Sequence, residues 1–181
     1  MPALSCATHR ASLVAAAVLL ALLVGCASDA EPPSGDPLFY RSLATSGAKV
    51  DAPTAASMIS GYRANNGLGA LTVDPELMKL AEAQAQAMAS RDKLGHDVAH
   101  GFEQRMSEHG YRASAAAENV SAGYHTLAEA FSGWRDSPPH RANMLLRGAS
   151  RMGIAAVYAP KSKYKVFWAL IVAAPDEGRQ G

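Results

Sequence analysis

The chain has 181 residues, of which 49% are hydrophobic, and its formal net charge at pH 7 is +1. This length suits one domain with additional segments. The small net charge and the scattered lysines and arginines exclude the basic footprint of a nucleic-acid-binding protein. Both cysteines, Cys6 and Cys26, lie ahead of the predicted domain, so we expect no disulfide framework inside it.

The N-terminal segment has the pattern of an export signal. Residues 11–24 form a strongly apolar run after Arg10, and this run is too short for a permanent membrane-spanning helix. It ends in Leu23-Val24-Gly25-Cys26, which resembles the lipobox of bacterial lipoproteins. We therefore predict a signal peptide over residues 1–25 and a lipid (palmitate) on Cys26, which would anchor the exported protein to the cell membrane or the outer membrane. The alternative is an ordinary secretory signal with an incidental cysteine.

The composition then divides the mature chain into three parts. Residues 26–53 contain several prolines and glycines with little periodicity, which predicts a flexible tether. The folded domain is predicted over residues 54–175, and residues 176–181 form a polar tail that we expect to be disordered.

Helix start signals indicate where the helices of the domain begin. Thr54 is the predicted cap of a helix over residues 55–64. Asp74 and Pro75 begin a helix that ends near Lys93, because an acid at the cap followed by proline is a strong start signal. Further helices are predicted over residues 102–109, after Thr126 in a capping box with Glu129, and from Ser137 to Leu145.

Two strands close the domain, over residues 152–158 and 164–173. The second is apolar on both faces, with Tyr164 and Trp168 on one side and Phe167 on the other. A strand that is apolar on both faces needs cover on both sides. The sequence therefore predicts an α+β fold, a three-layer α-β-α sandwich around a small, mainly antiparallel sheet.

An ordered series of motifs accompanies these elements. It comprises Gly95-His96-Asp97, Arg105, Gly110-Tyr111, Ala117-Glu118-Asn119-Val120, Trp134, Ser137-Pro138-Pro139-His140-Arg141-Ala142-Asn143-Met144-Leu145 and Gly153-Ile154. The series resembles the bacterial branch of the CAP superfamily, also called SCP-like after cysteine-rich secretory proteins, antigen 5 and pathogenesis-related proteins. The resemblance covers about residues 58–174 and implies the same α-β-α sandwich.

The resemblance also implies a cleft lined by two histidines and two acids. His96, Glu118 and His140 match three of these positions. The second acid usually stands three residues after the tryptophan, where this chain has Ser137, and the adjacent Asp136 would point elsewhere on a helix. The set is therefore incomplete. Two imidazoles and one carboxylate would still suffice for a divalent metal such as zinc, with an open position at which water could be activated.

Asp97, Asn119 and Asp136 are candidate hydrogen-bond acceptors for the second ring nitrogen of such histidines, and His100 is a candidate substitute ligand.

The same residues also have purely structural interpretations. His140 could be an interior histidine fixed by hydrogen bonds, Glu118 could accept backbone N–H groups at the end of a short run over residues 113–117, and His96 could cap a turn. Ser137 precedes a proline, which favours a helix cap over a nucleophile. We expect His100, His109 and His125 to face solvent, and Trp134 and Trp168 to lie in the core.

Two functions follow from these observations. The first is a lipid-anchored, monomeric, non-enzymatic module that binds a lipid, a cell-wall component or a protein partner. The second is a metal-dependent hydrolase that uses His96, Glu118 and His140. The serine at position 137, where the family pattern has an acid, favours the first.

Overall fold

The computed structural model describes residues 35–176. The predicted signal peptide, the lipid site at Cys26 and residues 177–181 lie outside this range. Among the described helices, none is both long enough and apolar enough to cross a membrane.

Five α-helices lie in this part of the chain, preceded by a short 3-10 helix at Leu38–Tyr40. They are α1, Ala52–Ala64; α2, Pro75–Arg91; α3, Phe102–Glu108; α4, Leu127–Asp136; and α5, Pro138–Met144. Asp74 caps α2 as predicted, because its side chain accepts the N–H groups of Glu76 and Leu77. The predicted capping box of Thr126 and Glu129 also forms at the start of α4.

The start of α1 differs from the prediction. Asp51, not Thr54, is the cap, and the Thr54 N–H donates to Asp51 Oδ1 at 2.8 Å. The helix therefore begins at Ala52, and proline occupies its second position, where no N–H is needed. The tether predicted up to residue 53 is also shorter in the structure, because Leu43 is buried in the core and its N–H donates to the His125 carbonyl at 2.7 Å.

The four strands form one sheet in the order β1-β3-β4-β2. They are β1, Thr72–Val73; β2, Ala113–Ala122; β3, Arg151–Ala159; and β4, Lys165–Pro175. β1 runs parallel to β3, while β4 pairs antiparallel with both of its neighbours. The sequence predicted β3 and β4 but neither β1 nor the full length of β2, of which residues 113–117 were expected only as a short run.

The sheet is covered on both faces, which confirms the predicted three-layer sandwich. On one face Val166, Trp168, Leu170 and Val172 of β4 pack with buried residues of α1, α4 and α5. On the other face Phe167, Ala169, Ile171 and Ala173 pack with α2 and α3. Tyr164 lies with this second group rather than with Trp168, because Lys165 has a left-handed backbone (φ 64°) that breaks the alternation at the start of the strand.

A buried arginine fixes the chain that follows α5. The Arg63 side chain, on α1, donates from Nη1 to the carbonyls of Met144 and Leu146 and from Nη2 to that of Ala149, at 2.9 to 3.0 Å. Burial lowers the pKa of Arg63 from its ordinary value. The hydrogen bonds satisfy the end of α5 and hold this helix beside the sheet.

Gly153 marks the closest approach between β3 and α2. A Cβ atom at this position would overlap the backbone of Leu77 and Met78. Backbone atoms in the first turn of a packed helix cannot move aside as a flexible side chain can. The absence of a side chain at residue 153 therefore sets the distance between the two layers.

We predict that Gly153→Ala destabilises the fold by about 3 kcal/mol, the upper part of the range for overpacked cores. Urea unfolding monitored by circular dichroism measures this change. Gly61→Ala is the matched control, because Gly61 lies within α1 with open space around it, and alanine should stabilise that helix by about 0.5–1 kcal/mol. Equal effects of the two substitutions would contradict the close approach.

Candidate functional site

The candidate site is built around the middle of β2. Because side chains alternate along a strand, Glu118 points towards the layer of α2 and α3, while Asn119 points towards α5. Both residues are buried. The edge of the sheet at this point therefore presents an acid to one layer and an amide to the other.

Glu118 forms an ion pair with Arg105 of α3. The Arg105 Nη2 atom lies 2.9 Å from Oε1 and 2.8 Å from Oε2 of the carboxylate. The Glu118 side chain is 1% exposed and that of Arg105 is 7% exposed, so the pair is shielded from water. A buried carboxylate needs such a partner, because an unpaired charge in the interior is strongly unfavourable.

The same arginine holds the loop that carries His96. Arg105 donates from Nη2 to the His96 carbonyl at 3.2 Å and from Nε to the His100 carbonyl at 3.1 Å. The His96 Nδ1 atom lies 2.9 Å from Glu118 Oε1, and since a carboxylate only accepts, Nδ1 carries the proton. The Nε2 atom of His96 makes no hydrogen bond within residues 35–176, and the side chain is 54% exposed.

Two asparagines attach α5 to the same edge. Asn143 Nδ2 donates to the Glu118 carbonyl at 3.0 Å and to Asn119 Oδ1 at 2.9 Å. Asn119 Nδ2 donates in turn to the His140 carbonyl at 3.0 Å. These bonds place His140 on α5 beside the Glu118 position of the sheet edge.

The pKa of His140 depends on its burial and on the nearby His96. Burial lowers the pKa of His140 below its ordinary value of 6.5, and the nearby His96 lowers it further. His140 is therefore held as a neutral imidazole near neutral pH. The two rings approach the site from opposite layers, one from the loop before α3 and one from α5.

The structure thus places His96 in hydrogen-bond contact with Glu118, and it places His140 near enough to His96 for the two rings to interact electrostatically. The other candidates take different places. Ser137 is half-buried and lies between α4 and α5 at the predicted cap position, although its side chain makes no capping hydrogen bond. Asp136 is exposed and pairs with Arg135 at 2.8 Å.

The remaining histidines lie outside the cluster. His100 pairs with Glu108 at 2.9 Å instead of replacing a ligand, and His100, His109 and His125 are exposed, as predicted. Asp97 is also exposed. Of Asp97, Asn119 and Asp136, which were suggested as acceptors for the histidine rings, only Asn119 contacts one of the site residues, by donating a hydrogen bond to the His140 carbonyl. Trp134 and Trp168 are fully buried and pack edge to face with their ring centroids 6.1 Å apart, so both are core residues, as expected.

The donor set does not fit a metal ion. Both oxygens of Glu118 accept hydrogen bonds from a guanidinium group, whose positive charge would repel a cation at the same carboxylate. Within residues 35–176, no three histidine, cysteine, aspartate or glutamate side chains are grouped so that they could hold a metal ion. Two imidazoles alone fall short of the three protein ligands that a catalytic zinc site uses.

The sequence model of the cysteine-rich secretory protein family, CAP, matches residues 56–172, which is more than half of the chain. The chain belongs to the CAP family. No curated protein matches it significantly. The matched region contains every residue of the site, from His96 to Asn143.

Solved structures of bacterial proteins share this CAP fold. An extracellular protein from Bacillus anthracis with an SCP domain has a TM-score of 0.58 and 20% identity, over 67% of this chain and 39% of that one. An outer surface protein from Borrelia burgdorferi has a TM-score of 0.60 and 18% identity, over 71% and 98%. A cysteine-rich secretory protein from Staphylococcus aureus has a TM-score of 0.56 and 16% identity, over 67% and 37%. The chain thus spans well under half the length of the Bacillus and Staphylococcus proteins.

Two residues of the CAP site had no assigned role in the sequence analysis. Arg105 was noted only as part of the motif series, and Asn143 only as part of the run after Ser137. One signal could have identified Arg105. It lies three residues after Phe102 and beside Met106, on the inward face of a short helix, where a charge needs a buried partner.

The low pKa of His140 predicts a loss of stability in acid. The unfolded chain protonates this histidine near pH 6.5, whereas the folded CAP domain protonates it only at lower pH. The unfolded state therefore binds more protons in this interval, and stability is lost as the pH falls from 6.5 through the folded pKa. His140→Gln should lose less unfolding free energy than the wild type between pH 7.5 and pH 5.

Urea unfolding at the two pH values checks this prediction. His125→Gln, which replaces an exposed histidine, is the matched control and should follow the wild type. An acid-induced loss in His140→Gln as large as in the wild type would show that this imidazole carries no burial penalty.

Proposed function

We propose that this CAP protein is exported, anchored to a membrane by a lipid on Cys26, and binds a lipid, a cell-wall component or a protein partner without catalysing a reaction on it. The names of the similar structures, extracellular and outer surface proteins, support export. The lipobox-like sequence ending at Cys26 supports the lipid anchor. Leu38 follows Cys26 by twelve positions, and at about 3.3–3.6 Å per residue this length keeps the domain within roughly 40 Å of the anchor.

The proposal that the protein catalyses no reaction is supported by the hydrogen bonds and the burial of Glu118. A general base must reach a proton within about 2.6–3.2 Å, with a lone pair available to accept it. Glu118 accepts hydrogen bonds from both Arg105 and His96, and its side chain is almost inaccessible to water. The carboxylate thus serves to hold α3, the His96 loop and β2 together.

The two imidazoles suit recognition. His96 presents a free ring nitrogen from a half-exposed side chain, and His140 is neutral near pH 7. Imidazole ring nitrogens can form hydrogen bonds with polar groups of a ligand. The cleft therefore offers polar contacts to a ligand, while its carboxylate is already occupied by Arg105 and His96.

We predict that the full-length protein co-sediments with purified cell envelopes and releases no soluble peptide or sugar fragments from them, as measured by liquid chromatography and mass spectrometry. The triple variant His96→Ala, Glu118→Gln, His140→Ala is the control for background release. Fragments released by the wild type and suppressed both in this variant and by a chelator would establish the hydrolase instead.

A further inference from the structure

The strand that carries Glu118 is an edge strand with one unpaired side. Within the described sheet, β2 pairs with β4 alone. The Gly123 N–H donates to the Val166 carbonyl at 3.0 Å, which makes the odd-numbered residues of β2 from Ala115 onward the ones that bond to β4, because the register shifts between Ala113 and Ala115. The backbone N–H and C=O groups of Ala116 and Glu118 therefore point away from the sheet.

Part of this edge is already covered. The Glu118 carbonyl accepts the hydrogen bond from Asn143 of α5. Ahead of Glu118 the strand consists of small residues, Ala113-Ser114-Ala115-Ala116-Ala117, and side chains of this size leave the backbone accessible. The open part of the edge is the first half of β2.

A groove runs along this open part. It has a volume of about 750 Å³ and lies between α3 and residues 113–116 of β2. Phe102, Met106 and Tyr111 contribute apolar side chains to its lining, which also contains polar and charged residues. Its volume lies within the range of roughly 300–1,000 Å³ found for ligand sites, and five extended residues would follow the strand for about 17 Å.

The opposite edge of the sheet is less open. β1 pairs with the start of β3, and the Ile154 N–H next along the strand lies 3.3 Å from Met78 Sδ. Beyond this point the space beside residues 156–158 is lined by residues 46–49 and measures about 300 Å³. The β2 edge therefore has the larger adjoining space.

We propose that residues 114–117 of β2 bind an extended peptide with basic side chains, which adds a fifth strand to the sheet. The unpaired N–H and C=O groups supply the main-chain hydrogen bonds, and the groove takes alternate side chains of the peptide. Among residues 35–176, Glu103 and Asp176 line the groove together with one base, Arg112, and this acidic excess favours a basic peptide. The proposal rests on the binding function proposed above and names the class of its ligand.

A second copy of the chain is a poorer occupant. In a two-fold pairing the same acidic groove would lie on both partners and the two would repel each other. The open edge is also only about four residues long before Asn143 covers it, whereas stable interfaces bury about 1,200–2,000 Å².

The test uses the full-length protein and a seven-residue peptide of alternating lysine and valine, acetylated and amidated, with binding followed by fluorescence anisotropy. Ala116→Pro removes the outward N–H and should weaken binding at least tenfold. Ala156→Pro, the matched control, removes an outward N–H from the β3 edge and should bind like the wild type.

A peptide with N-methyl groups on alternate residues should bind at least tenfold more weakly. Wild-type affinity in Ala116→Pro would overturn the proposal.

Hydrogen exchange of the wild type decides the matter if Ala116→Pro fails to fold. The peptide should slow exchange of the Ala116 amide at least tenfold and leave the Ala156 amide unchanged. Absence of this protection would overturn the proposal, as would a dimer in sedimentation that Ala116→Pro disrupts. Failure of the peptide to bind leaves the envelope assay as the separate test of the proposed function.

Discussion

The ion pair between Arg105 and Glu118 is the interaction on which the site depends. It joins α3 to the sheet across a buried interface, and the same guanidinium holds the loop that carries His96. The carboxylate in turn orients the His96 ring, and the Glu118 carbonyl accepts a hydrogen bond from Asn143 of α5. Elements from both outer layers therefore meet at one residue of β2. A charge pair at such a junction fixes geometry, because losing either partner would leave the other buried without compensation.

In the CAP site the carboxylate is buried and paired, whereas other groups remain accessible to solvent. His96 contacts Glu118 directly, but the acid is paired with Arg105 and enclosed. What remains accessible is His96, the half-buried His140 and, farther along the same strand, an unpaired backbone edge beside a groove. Each of these features suits binding of a partner from solvent. The proposed lipid anchor would present these features near a membrane surface.

Much of the fold could be predicted because a few local signals are strong. The apolar residues on both faces of β4 required a layer on each side, and the caps at Asp74 and Thr126 placed two helices. β2 was underestimated because its first half is nearly all alanine, which gives no alternation between a polar and an apolar face. β1 has two residues, too few for any periodic pattern. The role of Arg105 depends on a contact thirteen residues away, which local patterns do not contain.

The central claim is that Glu118 is committed to Arg105, and a double-mutant cycle tests it most directly. The unfolding free energies of the wild type, Arg105→Met, Glu118→Gln and the double variant give the coupling energy between the two side chains. Our account predicts a coupling of about 2–3 kcal/mol, at the upper end for residues in contact, with Arg105→Met the more destabilising single change. Additive effects, with a coupling below about 0.5 kcal/mol, would show that the carboxylate is free for other chemistry.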